Sequence, residues 1–483
     1  MNKCPFCRSP IEISWSYCRN CNKPLIADIS NLYYNRVRPI PDGTSIYANG
    51  FGEEEEFFDV NIIDDETIEY ELSQLESQLT DSERIGKNMG NLLLKKAGLF
   101  YKKRDFSNAL KNLELALENF KEEENVMNLI ITHNEIGLIH EETGFFDQAI
   151  YHFDRALNFI EEIDDHIKEI QVLNNLGNVY HLINDLENAN KYYQKALTLA
   201  DGENLELEAI KTASNLVEIL LSLEDYDRVK RILKRNLDFF VQTDDIYGVI
   251  QTRTKYGKLF YHLGEEYYDQ SFNCFTSALE LVVGIKNHIS IFIRKKLEWE
   301  CYLYLGRLHS LWDNDLEAED FLLKSLEAVR TFEIQENVKE GVVLEAIAKF
   351  YSLKGEDKKA IDYFSYSKDI YQKFGDKLKI AEMKYQVAQI FREYLQNDQK
   401  AIQLYEEALV ILENLNKPKN RADIHNKLGD IYLSKQLYDL DLALSNFENA
   451  KNLYAELEDE ENKTIMEGKI NSLKNTENHN ATL

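Results

Sequence analysis

The chain has 483 residues, with 84 acidic against 56 basic side chains and a formal net charge of -28. That balance argues against nonspecific binding to nucleic acid or to an anionic membrane surface, because neutralising phosphate requires clustered Lys and Arg. Nothing approaches the roughly 18 consecutive apolar residues of a bilayer-spanning helix. The opening Met-Asn-Lys-Cys-Pro leads into cysteines and not into an apolar export signal, so the expected compartment is the cytoplasm.

Four of the six cysteines fall in the first 21 residues, as Cys4-Pro-Phe-Cys7 and Cys18-Arg-Asn-Cys21. Two such knuckles supply four thiolates that can close tetrahedrally on one zinc ion. The segment between them is long enough only for a small hairpin, so metal would hold residues 1–27 together. A closed four-thiolate site has no open coordination position, which makes the zinc structural. Two disulfides are the alternative, disfavoured in a chain without an export signal. The stretch resembles the short zinc ribbons at the ends of archaeal and bacterial multidomain proteins, including the Pro after the first Cys and Lys23-Pro-Leu25 after the last. Arg8 and Asn22 stand where that pattern has Gly.

Residues 28–84 read as an acidic, largely disordered linker. Between Asp42 and Glu83 there are fourteen acidic residues and no Lys or Arg, half the net charge in 42 residues. Self-repulsion would extend such a segment, with a short helix over 65–79 capping the first repeat. Its aromatic and acidic stretch, residues 53–65, is a candidate internal competitor for a basic groove.

Residues 85–475 are repetitive. A small or Gly anchor recurs at Ala97, Gly137, Gly177, Val217, Gly257, Gly306, Ala348, Ala388 and Gly429, at steps of 40, 40, 40, 40, 49, 42, 40 and 41. Each anchor sits on an amphipathic first helix, followed by a break and a second helix carrying small, aromatic and small residues: Ala149, Phe153, Ala156; Ala189, Tyr193, Ala196; Ala360, Phe364, Ser367; Ala443, Phe447, Ala450. Offsets of four and three put all three on one face, the aromatic as knob and the small residues as sockets. No single pair buries both its faces, so the units must stack. Val217, Val229 and Asn236 replace small residues in one unit, and the 49-residue step adds about nine residues near Val283 to Asn287. These features predict either a weaker interface or bend, or a longer helix pair. Residues 476–483 read as a disordered tail.

The pattern resembles the tetratricopeptide repeat family in its long, about 40-residue form, as in kinesin light chains, spindle-orientation adaptors and bacterial peptide-sensing regulators. The resemblance implies an all-α, right-handed solenoid of about nine helix-turn-helix repeats. It also implies an inner face lined by the first helix at positions three before, two before and one after the anchor. Those positions include Asn134, Asn174, Asn175, Asn178, Asn215, Lys255, Lys258, Arg307 and Lys349. Asn amides donate and accept, so a ladder of them suits a peptide backbone. The basic stretch would favour carboxylates.

Cys274 and Cys301 read as core residues. Tyr256-Gly-Lys258 lacks the Gly-rich turn of a phosphate loop, and His140-Glu-Glu-Thr-Gly144 lacks the second His of a metalloprotease helix. No convergent catalytic set can be assembled. The expected function is therefore a non-catalytic adaptor or scaffold that binds a protein or peptide segment. The alternative is a peptide-sensing regulator whose ribbon or partner contacts nucleic acid.

Overall fold

A computed structural model describes residues 2–3, 10–11, 65–85, 89–332, 337–434 and 437–480. Cys4, Cys7, Cys18, Cys21 and the 53–64 stretch lie outside them. Strands β1 (Asn2–Lys3) and β2 (Pro10–Ile11) pair antiparallel, Asn2 opposite Ile11 and Lys3 opposite Pro10. All the other described elements are helical. The chain divides into two compact units, residues 1–304 and 305–483.

In the first unit the helices are α1 (Asp65–Ile85), α2 (Met89–Lys102), α3 (Phe106–Glu122), α4 (Val126–Glu142), α5 (Phe146–Ile160), α6 (His166–Leu182), α7 (Leu186–Gly202), α8 (Glu206–Ser222), α9 (Tyr226–Gln242), α10 (Ile246–His262) and α11 (Tyr268–Ile285). Helix α12 (Ile291–Leu311) crosses the division. The second unit continues with α13 (Asp315–Phe332), α14 (Val338–Leu353), α15 (Asp357–Lys373), α16 (Lys377–Glu393), α17 (Asp398–Asn414), α18 (Pro418–Tyr432), α19 (Leu440–Glu456) and α20 (Glu460–Asn480).

One turn joins most of these helices. At the end of α6, Asn184 N–H donates to His181 O at 3.0 Å and Asp185 N–H to Tyr180 O at 2.8 Å, the paired bonds of a Schellman ending. Asn184 takes a left-handed φ of 59°. Asp185 then caps α7, its carboxylate accepting from Asn188 N–H at 3.1 Å. One residue thus closes one helix and opens the next. Asp105, Asn125, Asp225 and Asp245 repeat both roles. The caps at 105, 125, 145, 165, 185, 205, 225 and 245 are 20 residues apart. The 40-residue period is therefore two half-periods with the same turn.

The anchors pack as the side-chain pattern predicts. A Cβ added to Gly137 would lie 2.6 Å from the Phe153 ring, and one on Gly177 2.6 Å from Tyr193. In the second unit, Gly429 meets Phe447 in the same way. The sockets Ala149, Ala156, Ala189, Ala196, Ala443 and Ala450 are fully buried. Helix α1 caps the first unit with Ile68 and Leu72, which bury against Leu99; it runs beyond the expected end at Leu79 to Ile85. The long step contains a longer helix pair: each turn is two residues longer than the usual three, α11 has one extra residue, and α12 has four more before its anchor.

Gly177→Val should destabilise the protein by about 1–3 kcal/mol through overpacking against Tyr193. Denaturant melting checks this, and an unchanged midpoint would contradict the packing. Glu224 holds a φ of 60°, where a Cβ is strained. Glu224→Gly should therefore raise stability by roughly 0.5–1 kcal/mol.

Candidate ligand-binding face

On each first helix, positions six, three and two before the anchor and one after it fall at i, i+3, i+4 and i+7 spacing, one stripe of the helix. On α6 that stripe is all amide: Gln171, Asn174, Asn175 and Asn178. Gln171, six before the anchor, lies outside the three positions that the repeat resemblance implies and completes the stripe. The same register gives Asn134 and Glu135 on α4, Ser214, Asn215 and Glu218 on α8, and Thr254, Lys255 and Lys258 on α10.

Most of these side chains engage one another. Asn175 Nδ2 donates to Asn134 Oδ1 at 2.8 Å, joining α6 to α4. Asn174 Nδ2 donates to Thr212 Oγ1 at 2.8 Å, joining α6 to α8. Asn178 Oδ1 accepts from the hydroxyl of Tyr193 at 2.6 Å, which fixes the ring that packs on Gly177. Asn134, Asn174, Asn175 and Asn215 are buried. The asparagine ladder is thus first an inter-helix fastening. What it leaves over is specific: Asn174 Oδ1 and Gln171 Oε1 are buried acceptors without a partner. An unpaired buried acceptor costs about 1–3 kcal/mol.

Farther along, charge replaces the amides. Lys258 is buried and bridges α8 to α12, reaching Glu218 at 2.7 Å and Glu300 at 2.8 Å. Burial alone would raise the Glu218 carboxyl and lower the Lys258 ammonium, but each overcomes it through the other, so Glu218 is held low and Lys258 high. Lys255 Nζ donates to the Ser214 carbonyl, and burial lowers its pKa. Lys258 is thus committed to two carboxylates, whereas Lys255 is buried with its ammonium on a backbone carbonyl. Of the remaining candidates, Arg307 and Lys349 belong to the second unit. Lys349 pairs with the buried Glu345 at 2.6 Å, and Arg307 adds to the charges that hold that carboxylate low against its burial.

Histidines of α4 and α5, His133 buried and His152 half-buried, form a separate cluster. His133 and His152 share a contact between their Nδ1 atoms at 3.0 Å. Burial, then the His152 ring, lowers His133 to about 3; burial, then the His140 ring, lowers His152 to about 4. No group of three or more His, Cys, Asp or Glu able to hold a metal is present among the described residues. No described helix is long and apolar enough to cross a membrane.

Comparison with known proteins places part of this architecture. Residues 128–201, from α4 to α7, match the tetratricopeptide repeat model, so this stretch of the chain consists of tetratricopeptide repeats. Residues 333–481 match the model of the soluble NSF attachment protein, SNAP. No curated protein matches significantly. Among solved structures, the apo form of the quorum sensor NprR from B. thuringiensis is similar at 12% identity, covering 72% of this chain and 97% of that one, with a TM-score of 0.48. The signal transduction ATPase with a tetratricopeptide repeat sensor from Pyrococcus horikoshii is similar at 15% identity, covering 79% of this chain and 55% of that one, TM-score 0.47. The Rap conjugation gene regulator of plasmid pLS20, in complex with the Phr* peptide, is similar at 14% identity, covering 72% and 96%, TM-score 0.44.

Lys258→Ala would leave two carboxylates facing each other without their cation. It should cost about 3 kcal/mol, the lower end for a broken buried pair because Glu218 and Glu300 are about a quarter exposed. Urea denaturation measures it, and a loss below about 0.5 kcal/mol, the scale of an exposed pair, would contradict the bridge. Burial raises Glu135 to about 8, against a smaller opposing effect of the Asn134 amide. Since its folded value lies above its unfolded one, the native state keeps a proton that the unfolded state loses, and stability falls as pH rises from about 4.5 to about 8. Glu135→Gln should therefore gain in melting temperature over the parent more at pH 8 than at pH 5.

Proposed function

We propose that this protein is a non-catalytic adaptor or scaffold that binds a protein or peptide segment along the inner stripe of its first helices. The repeats belong, in this reading, to the long kinesin-light-chain-like class, about nine in number and right-handed. The observation that carries it is the α6 stripe, where four amides share one face and two buried acceptors, Asn174 Oδ1 and Gln171 Oε1, stay unpaired. A folded interior rarely leaves such groups orphaned. Backbone N–H donors of an extended segment would supply what is missing without reading its side chains. The tetratricopeptide match over 128–201 includes α6 and supports the same reading.

The amino-terminal segment is a small zinc ribbon in this proposal, Cys4, Cys7, Cys18 and Cys21 holding one structural zinc. The antiparallel pairing of Asn2–Lys3 with Pro10–Ile11 supports this reading. Four thiolates at that spacing suit zinc in both number and softness. The protein works in the cytoplasm, where such thiols stay reduced.

Affinity capture with the full chain, compared with the Gln171→Ala/Asn174→Ala double variant, tests the binding face. Two lost hydrogen bonds of about 1 kcal/mol each predict roughly 30-fold weaker retention of the captured segment. Equal retention by a folded double variant would remove the face from the proposal. Metal analysis should find one zinc per chain, lost in Cys4→Ser/Cys18→Ser. A parent protein free of zinc after purification without chelators would overturn the ribbon.

A further inference from the structure

Four glutamates among the described residues are more than nine-tenths buried: Glu135, Glu298, Glu340 and Glu345. Three of them have a cation of the chain. Arg294 reaches Glu298 at 2.7 Å, Arg330 reaches Glu340 at 2.6 Å, and Lys349 reaches Glu345 at 2.6 Å. Glu135 breaks this rule. Its Oε1 accepts only from the neighbouring Asn134 amide, at 3.3 Å, and its Oε2 has no partner.

Its position makes the exception informative. Glu135 lies two residues before the Gly137 anchor, on the stripe of α4 that Asn175 of α6 fastens through Asn134. The next stripe, on α6, contributes the two orphaned oxygens of Asn174 and Gln171. All three unpaired groups are acceptor oxygens when the carboxyl is ionised. A ligand suited to them offers donors and positive charge and no acceptor, which describes an ammonium or a guanidinium.

We propose that Glu135, with Asn174 and Gln171, forms a subsite on the α4 and α6 stripes for a cationic group of the bound segment, a Lys or Arg side chain or a free amino terminus. The subsite rests on the binding face proposed above and gives that face a charge preference. The preference is opposite to the one Lys255 and Lys258 suggest from sequence, because Lys258 is already paired with two carboxylates and Lys255 is buried against a backbone carbonyl. A cation beside Glu135 restores the charged carboxylate that burial disfavours, so binding is accompanied by proton release near neutral pH.

A random nonapeptide display library, prepared with free and with acetylated amino termini, is selected on the full chain and on the Glu135→Gln variant, which keeps the side-chain volume. The parent should enrich Lys or Arg at one position at least tenfold in the acetylated library, or prefer free over acetylated termini by the same factor. The first result assigns the cation to a side chain and the second to the terminus. Glu135→Gln should retain peptides but lose the enrichment. For a recovered peptide, calorimetry in two buffers of different ionisation enthalpy should show proton release with the parent and none with Glu135→Gln. Retained peptides without a basic preference, or an equal preference in the variant, would overturn the subsite alone. No retained peptide in either library would overturn the binding face and the subsite together.

Discussion

The structure depends on a constraint at its turns. A helix of seventeen residues ends in a left-handed residue, and the next residue both completes the Schellman bonds of the finished helix and caps the new one. Asp185 does this in a single step, its N–H bonded backward to Tyr180 O and its carboxylate forward to Asn188 N–H. Because no spare residue intervenes, successive helices start 20 residues apart and their anchors stay in register. Gly177 can then meet Tyr193, and the equivalent ring of each such pair lands on the equivalent small residue. The register that packs the core also lines up the polar stripe.

That alignment gives the stripe its character. Amides and charges at equivalent or adjacent stripe positions on neighbouring first helices fall within hydrogen-bonding reach, as Glu218 with Lys258 and Asn134 with Asn175 show. Most are used up in fastening one repeat to the next. Function has to be sought in what remains unpaired on the stripe, which among the described residues includes Glu135 Oε2 of α4 and Gln171 Oε1 and Asn174 Oδ1 of α6. Adhesion to an incoming segment is chemistry that such leftovers can perform.

The repeat, its anchors and its aromatic knobs were legible in the sequence because they depend on residue size at fixed spacing, which a linear pattern records. Phe153 between Ala149 and Ala156 can be read as a knob without coordinates. The turns were legible only where Gly, Asn or Asp marks them. Glu124 and Glu224 also adopt positive φ, and their sequence gives no warning, because the surrounding Schellman bonds impose the conformation. Register revealed that Asn134, Asn174 and Asn175 share a face, but not that Asn134 and Asn175 bond each other and Asn174 bonds Thr212, since the identity of a partner forty residues away is a tertiary fact. Lys255 and Lys258 looked basic in sequence for the same reason. Their carbonyl and carboxylate partners lie on other helices.

Site-specific photo-crosslinking is the most direct test of the claim that the inner stripe is where this protein binds. A photoreactive residue replacing Asn178, half-buried on the stripe, should capture a protein or peptide partner from cell extract. The same residue replacing Tyr151, exposed on the second helix α5, should not. Capture at position 151 with none at position 178 would contradict the account.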